Sequence, residues 1–151
     1  VSKVKMSQTL SQSIEAGDWQ KIERYFNDSD FAKALGIIVN LDDPANPRCE
    51  VNEIKDLHIG GVGQSYINGA VISAIFDLVI GLSALGYASE GNFATSNVKI
   101  RFVKPVERNR FYATSKVLRK IGNIIFSEAT LFNFHGEPCG QAHGEIRVGI
   151  K

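Results

Sequence analysis

Cysteine is scarce in this chain of 151 residues: only Cys49 and Cys139 occur, and they have no CxxC spacing. That argues against a disulfide-stapled scaffold and fits reduced thiols in a cytoplasmic protein. Histidine is scarce as well. No two of His58, His135 and His143 have metal-ligand spacing on one element, so neither a metal nor another cofactor is expected. Charge of one sign is missing too, because a net charge of +1 leaves no basic surplus for nucleic acid. Secretory signals, lipidation motifs, repeats, low-complexity tracts and linkers are all lacking. The expectation is a single domain over 1–151, led by a helical segment over 1–33 and large enough for a real core.

What is present in force is one apolar stretch, Asn68–Ser89, whose only carboxyl is Asp77. At 3.6 residues per helical turn, Val71, Ile75, Leu78, Leu82 and Leu85 share one stripe. Ala70, Ser73, Asp77, Gly81 and Ala84 share another, so a narrow face of small residues carries the carboxylate. Burying that carboxylate without partners is expensive. Three readings follow. A membrane span is long enough, but a central Asp opposes it by about 2.5–3.5 kcal/mol, and no membrane association is expected. A buried structural helix would have to satisfy the Asp with hydroxyl or backbone partners. A functional helix would hold it in a cleft for acid–base or nucleophilic work.

The remaining elements are read around this helix. Asp18 is an N-cap candidate for a helix carrying Trp19, Ile22, Tyr25 and Phe26; 27–30 breaks it, and Gly36 ends one more turn. Ile37–Leu41 and Arg48–Ile54 read as a hairpin across a turn-rich connection. A glycine loop with Gly60, Gly61 and Gly63 leads to Asn68 as N-cap, and Gly86, Gly91 and Asn92 are expected to close the helix. Then come strands over 94–103, 111–120, 123–134 and 141–150. Alternation in the first puts Ser96, Val98, Ile100 and Phe102 on one face. A lone helix that is apolar nearly all round needs cover on every side, and one concave sheet cannot supply it. A second copy of the chain is therefore expected over the face carrying Asp77 or its neighbours.

These residues resemble a known family. Asn68-Gly69-Ala70 stands where acyl-CoA thioesterases of the phenylacetic-acid-degradation type carry His-Gly-Gly, and Asp77 lies nine positions after Asn68. Phe102-Val103-Lys104-Pro105 matches a strand ending in an aromatic residue shortly before Pro, and 31–36 is similar to the family's opening. The resemblance covers roughly 30–150. It implies an α+β hotdog fold, a curved antiparallel sheet wrapped around one long central helix, acting as a homodimer or dimer of dimers.

The resemblance further implies hydrolysis of an acyl-CoA thioester, with Asp77 as base or nucleophile and the N–H of Gly69 or Ala70 polarising the carbonyl. Free N–H groups at a helix start suit that role. Thr95, ten residues before Pro105, would orient water or substrate from the other subunit. The family His is replaced by Asn68, which can cap the helix or hydrogen-bond substrate. Where relatives carry a polar residue before the His, this chain has Val62, with Gln64 as a substitute. Lys104, Arg108 and Arg110 could pair with phosphates of coenzyme A, and Leu57, Ile72 and Phe76 could line an acyl pocket. His58-Ile59-Gly60-Gly61 imitates the motif, but it lies nineteen residues before Asp77. A His–acid pair would instead mark a 3-hydroxyacyl dehydratase. A non-catalytic acyl-CoA-binding protein is the other alternative, favoured by the loss of the His.

Overall fold

A computed structural model of the chain describes residues 10–60, 65–88 and 92–149. A helical lead, α1 (10–16), is followed by α2 (Trp19–Asn27) and α3 (Asp30–Leu35). The expected punctuation is in place. The Asp18 carboxylate accepts from the Lys21 N–H, and Gly36 ends α3 at φ 62°; Ser29, read in the sequence only as part of the 27–30 break, is the cap of α3. The hairpin follows as β1 (Ile37–Asn40) and β2 (Arg48–Val51), in register from Ile37 opposite Val51 to Asn40 opposite Arg48. Cys49 and Val51 face the core, whereas Glu53 is exposed beyond the strand.

After a single 3-10 turn at Asp56–His58, two short strands, β3 (Ile59–Gly60) and β4 (Tyr66–Ile67), pair with each other. The long helix α4 is Gly69–Ser83, shorter than the apolar run suggests. The chain leaves the α-helix at Ala84 and makes a 3-10 turn over Leu85–Tyr87. Hydrophobic periodicity alone cannot register this change, because Leu85 remains fully buried. Ser89 and Gly91, expected near its end, lie outside the described residues.

Four long strands complete the sheet: β5 (Phe93–Phe102), β6 (Phe111–Ile121), β7 (Ile124–Phe132) and β8 (Pro138–Val148). The order is β1-β2-β6-β7-β8-β5, with every neighbour antiparallel. Strand β5 is thus an edge, and a register shift between Thr95 and Asn97 bends it. The bulge corrects the expected alternation. Ser96 points outward and is exposed, while Phe93 and Thr95 join Val98 and Ile100 on the half-buried side.

The sheet curls around α4. Val71, Ile72, Ile75, Phe76, Val79, Ile80, Leu82 and Ser83 are its buried residues. Two glycines of β8 allow close approach: a Cβ on Gly140 would meet the Phe76 ring at 3.2 Å, and one on Gly144 would meet Ile80 Cγ2 at 2.6 Å. Hydroxyls pin the helix. Ser115 donates to the Val79 carbonyl, and Ser83 and Ser127 share a 2.8 Å hydrogen bond. The stretch Gly69–Tyr87 is long and apolar enough to span a membrane, yet more than half of it is buried within the fold. Burial against its own sheet accounts for its greasiness.

Candidate functional site

One arc of α4 is left uncovered by the sheet: Ala70 and Asp77 are exposed, and Ser73, Ala74, Leu78 and Gly81 are half-buried. Ala70, Ser73, Asp77 and Gly81 belong to the narrow face expected from the sequence; Ala84 of that face is buried, and Leu78, expected on the bulky stripe, is only half-buried. Asp77 has no hydrogen-bond or ion-pair partner among the described residues. The carboxylate is therefore solvated in a single chain, where it needs no structural partner.

The start of α4 is built differently. Asn68 caps it at φ −61°, ψ 132°, its Oδ1 accepting from the Ala70 N–H at 2.8 Å. That bond corrects one expectation, since it occupies the Ala70 donor. Gly69 keeps its N–H without an acceptor among the described residues. The Asn68 N–H itself donates to the His58 carbonyl at 2.7 Å.

His58, which in sequence imitates the motif, is fully buried. Its Nδ1 accepts from the Lys55 N–H at 2.9 Å, and its Nε2 faces the Leu35 carbonyl at 2.7 Å. The first bond requires an unprotonated Nδ1, so Nε2 carries the proton and donates. Both nitrogens are consumed in tying the loop to α3, and this ring is unavailable as a catalytic base. His135 stacks on Phe134, and His143 lies 3.7 Å from Glu128 on an exposed strand face.

Beside Gly69 opens a cleft of about 500 Å³, with Asn68 and Gly69 at one wall and Tyr66, Phe102, Val103 and Lys104 around it. The segments on either side are joined by Ile67 N–H to the Val106 carbonyl and Arg108 N–H to the Ser65 carbonyl. Tyr66, Phe102 and Val103 are large exposed apolar groups. Sequence reasoning missed Tyr66 and Gly60 as lining residues; only the glycine loop hinted at them. Of the expected acyl-pocket residues, Ile72 lines this cleft, Phe76 is fully buried against Gly140, and Leu57 is exposed.

Nine positions separate Asn68 from Asp77. Eight residues of α-helix put Asp77 about 12 Å along the axis from Gly69, at 1.5 Å per residue. The two cannot reach one carbonyl in the same chain, where reacting atoms approach to about 3–3.5 Å. Strand β5 runs opposite to α4. A Cβ at Gly69 would touch the Phe102 ring at 3.5 Å, and one at Gly81 would approach the Phe93 ring at 3.9 Å. Thr95 therefore lies in the Asp77–Gly81 half of the helix, away from the cleft.

The basic residues divide. Lys104 is ion-paired with Glu137 at 2.5 Å, and Arg108 with Asp56 at 2.8 Å. The hydrogen bond with Glu137 raises the Lys104 pKa, and the same bond lowers that of Glu137. Arg110 lines a separate groove with Arg48 and Tyr112, so the three cations do not converge. Gln64 and Val62 lie outside the described residues.

Comparison with known proteins brings these features together. The sequence profile of the Thioesterase superfamily matches residues 64–139, which include α4, Asp77 and all of the cleft's lining but Gly60. A Thermoplasma acidophilum protein named as a candidate esterase is 28% identical over 82 residues; the match spans 54% of this chain and 62% of that protein. Among solved structures, a Shewanella oneidensis protein related to the thioesterase superfamily superposes with a TM-score of 0.77 at 19% identity, covering 90% of this chain and 98% of the other. The E. coli PaaI protein from the phenylacetic acid degradation operon gives 0.71 at 20% identity, covering 93% and 96%. Zebra fish thioesterase superfamily member 2 gives 0.70 at 18%, covering 85% and 94%. At these identities the structural likeness is one of fold.

Proposed function

The chain belongs to the Thioesterase superfamily and has the hotdog fold, and from that premise we propose that it hydrolyses acyl-CoA thioesters at sites shared between two copies of itself. The observation that carries this reading is the division of labour along α4: a free Gly69 N–H beside a cleft, and a solvated Asp77 about 12 Å away on an uncovered arc. Two copies of α4 running antiparallel across that arc bring the Asp77 of each beside the Gly69 of the other. The unmet cover of the helix and the unmet chemistry are then solved by one contact.

In each site the thioester oxygen takes the Gly69 N–H, whose donor strength is reinforced by the positive end of the helix dipole. Asp77, from the copy that does not supply that Gly69, takes a proton from water as the water oxygen adds to the carbonyl carbon. Collapse of the tetrahedral intermediate breaks the C–S bond, and the departing thiolate takes the proton held by Asp77, which frees coenzyme A and restores the carboxylate. Attack by the carboxylate itself, with water cleaving the resulting anhydride, uses the same groups; trapping of an acyl–aspartyl species by hydroxylamine distinguishes that route. Thr95, in the Asp77 half of the helix, orients the water. Burial and full engagement of His58 weigh against a dehydratase.

The test is thiol release from acetyl-, hexanoyl-, palmitoyl- and phenylacetyl-CoA by the wild type and Asp77→Ala. A loss of kcat on the order of 10²–10⁴ in the variant is expected for removal of a general base. Release that survives the substitution sinks the mechanism. Binding of acyl-CoA without release from any probe favours a non-catalytic binding protein, a reading supported by the carboxamide at Asn68 in place of an imidazole.

A further inference from the structure

Among the described glycines, Gly60 is the one whose missing side chain leaves the least room beside Asn68. A Cβ built there would lie 2.3 Å from Asn68 Nδ2, 2.7 Å from Cγ and 2.9 Å from Cβ. The overlap reaches the root of the Asn68 side chain, so a turn of its outer torsion does not relieve it. Neither partner is free to retreat. Gly60 is held in the β3–β4 ladder opposite Tyr66, and the Asn68 backbone is fixed by its N–H bond to His58 and by the first turn of α4. His58 in turn is locked to Leu35 and Lys55.

These constraints also decide which way the carboxamide faces. Oδ1 must accept from the Ala70 N–H, so Nδ2 is the end that rests over Gly60. Among the described residues Nδ2 has no acceptor and no buried side-chain nitrogen lacks a partner, so this NH₂ is not sealed in the core. Asn68, Gly60 and Gly69 all line the same cleft.

We propose that Asn68 Nδ2 is a second donor to the thioester oxygen beside the Gly69 N–H, and that Gly60 is the positioning residue that holds it there. The inference rests on the thioesterase reading for its chemistry, but the placement of Asn68 by Gly60 stands apart from it. In this site a carboxamide pinned by its own helix cap supplies the hydrogen bond, and the bare face of Gly60 gives it room.

The experiment is a double-mutant cycle of Gly60→Ala and Asn68→Gly, read with the acyl-CoA probe that the wild type turns over best. Asn68→Gly keeps the helix start, because Gly is a tolerable N-cap, and it removes the three atoms nearest to a Cβ at position 60. Each single variant is expected to lower kcat on the order of 10²-fold, the effect of losing one oxyanion donor, with KM changed far less. The double variant should match Asn68→Gly alone. If Gly60→Ala costs the same again in the Asn68→Gly background, Gly60 acts by another route and the proposal falls. A second readout does not need turnover: the side-chain NH₂ resonance pair that disappears in Asn68→Gly should move in Gly60→Ala. An unmoved pair overturns the positioning role. A moved pair in a protein that releases no thiol keeps that role and removes the thioesterase reading instead.

Discussion

Gly69→Pro would delete a single hydrogen-bond donor and almost nothing else. Gly69 is the first residue of α4, the helical position at which proline is best tolerated because its N–H has no partner within the helix. The preceding Asn68 already has the extended conformation that a following proline demands, at φ −61° and ψ 132°. A Cβ at 69 meets the Phe102 ring at 3.5 Å, an ordinary contact. The variant should therefore fold with an unchanged or slightly raised melting temperature. If the Gly69 N–H polarises the thioester, kcat should fall by about 10²–10³, equivalent to roughly 2.7–4 kcal/mol of transition-state stabilisation. Co-expression of Gly69→Pro with Asp77→Ala then tests the shared site. In a two-fold dimer the mixed pair has one doubly impaired site and one intact site. Random pairing should return about a quarter of wild-type activity from two nearly inactive chains. A folded Gly69→Pro protein with kcat within about threefold of wild type refutes the donor role. Failure of the mixed population to recover refutes the two-chain site.

Other expectations follow from the packing and the charges. Gly144→Ala should destabilise by about 1–3 kcal/mol through its clash with Ile80, and the loss should shrink when Ile80→Ala is combined with it in a thermal-melt cycle. The Lys104–Glu137 pair sets opposite pH limits. The lowered Glu137 pKa gives stability that is present above the usual glutamate range and fades as pH falls through the lowered value; the raised Lys104 pKa gives stability lost only as pH rises through it. Both groups are exposed, so the effect on melting should be small and reduced by salt. The direct check is the carboxyl NMR titration of Glu137, whose midpoint should rise in Lys104→Met. Burial pushes the thiols of Cys49 and Cys139 up, so neither should react with a disulfide reagent in the native protein at pH 8, and both should on unfolding.

The fold was legible where one residue dictates its own local geometry. Asp18, Gly36 and Asn68 set element boundaries through caps and a left-handed turn, and those depend on neighbours in sequence alone. The alternation of β8 survived because its small inner residues, Gly140, Ala142 and Gly144, face a helix that presses on them. The bulge at Ser96 was not legible. It arises from how an edge strand curves around α4, and no propensity in Thr95-Ser96-Asn97 announces it. The same limit applied to the site. The spacing of Asn68 and Asp77 was visible, but spacing does not reveal that the Ala70 N–H is spent on the cap or that Lys104 and Arg108 are already paired. His58 was the most misleading residue, because its motif-like neighbours belong to a scaffold role that only the Leu35 and Lys55 contacts expose.

The uncovered arc of α4 and the free edge of β5 point to one solution rather than two. Of the two edge strands, β1 and β5, β5 is the long one beside the open arc, and its Phe93 and Phe102 rings lie against the same helix whose Gly69, Ser73, Asp77 and Gly81 side is left open. A long exposed edge is a standing invitation to strand pairing, and a half-solvated apolar helix is a standing demand for burial. On the two-copy proposal, a single two-fold operation that joins the β5 edges also lays one α4 antiparallel to the other. Small side chains on the arc then matter doubly: they let the helices approach, and they leave an acyl group space between the donor of one chain and the carboxylate of the other. Filling the arc separates these effects, because Ser73→Leu should leave the monomer's buried core untouched while abolishing both self-association, by sedimentation, and thiol release. Activity retained by a monomeric Ser73→Leu variant would show that one chain suffices.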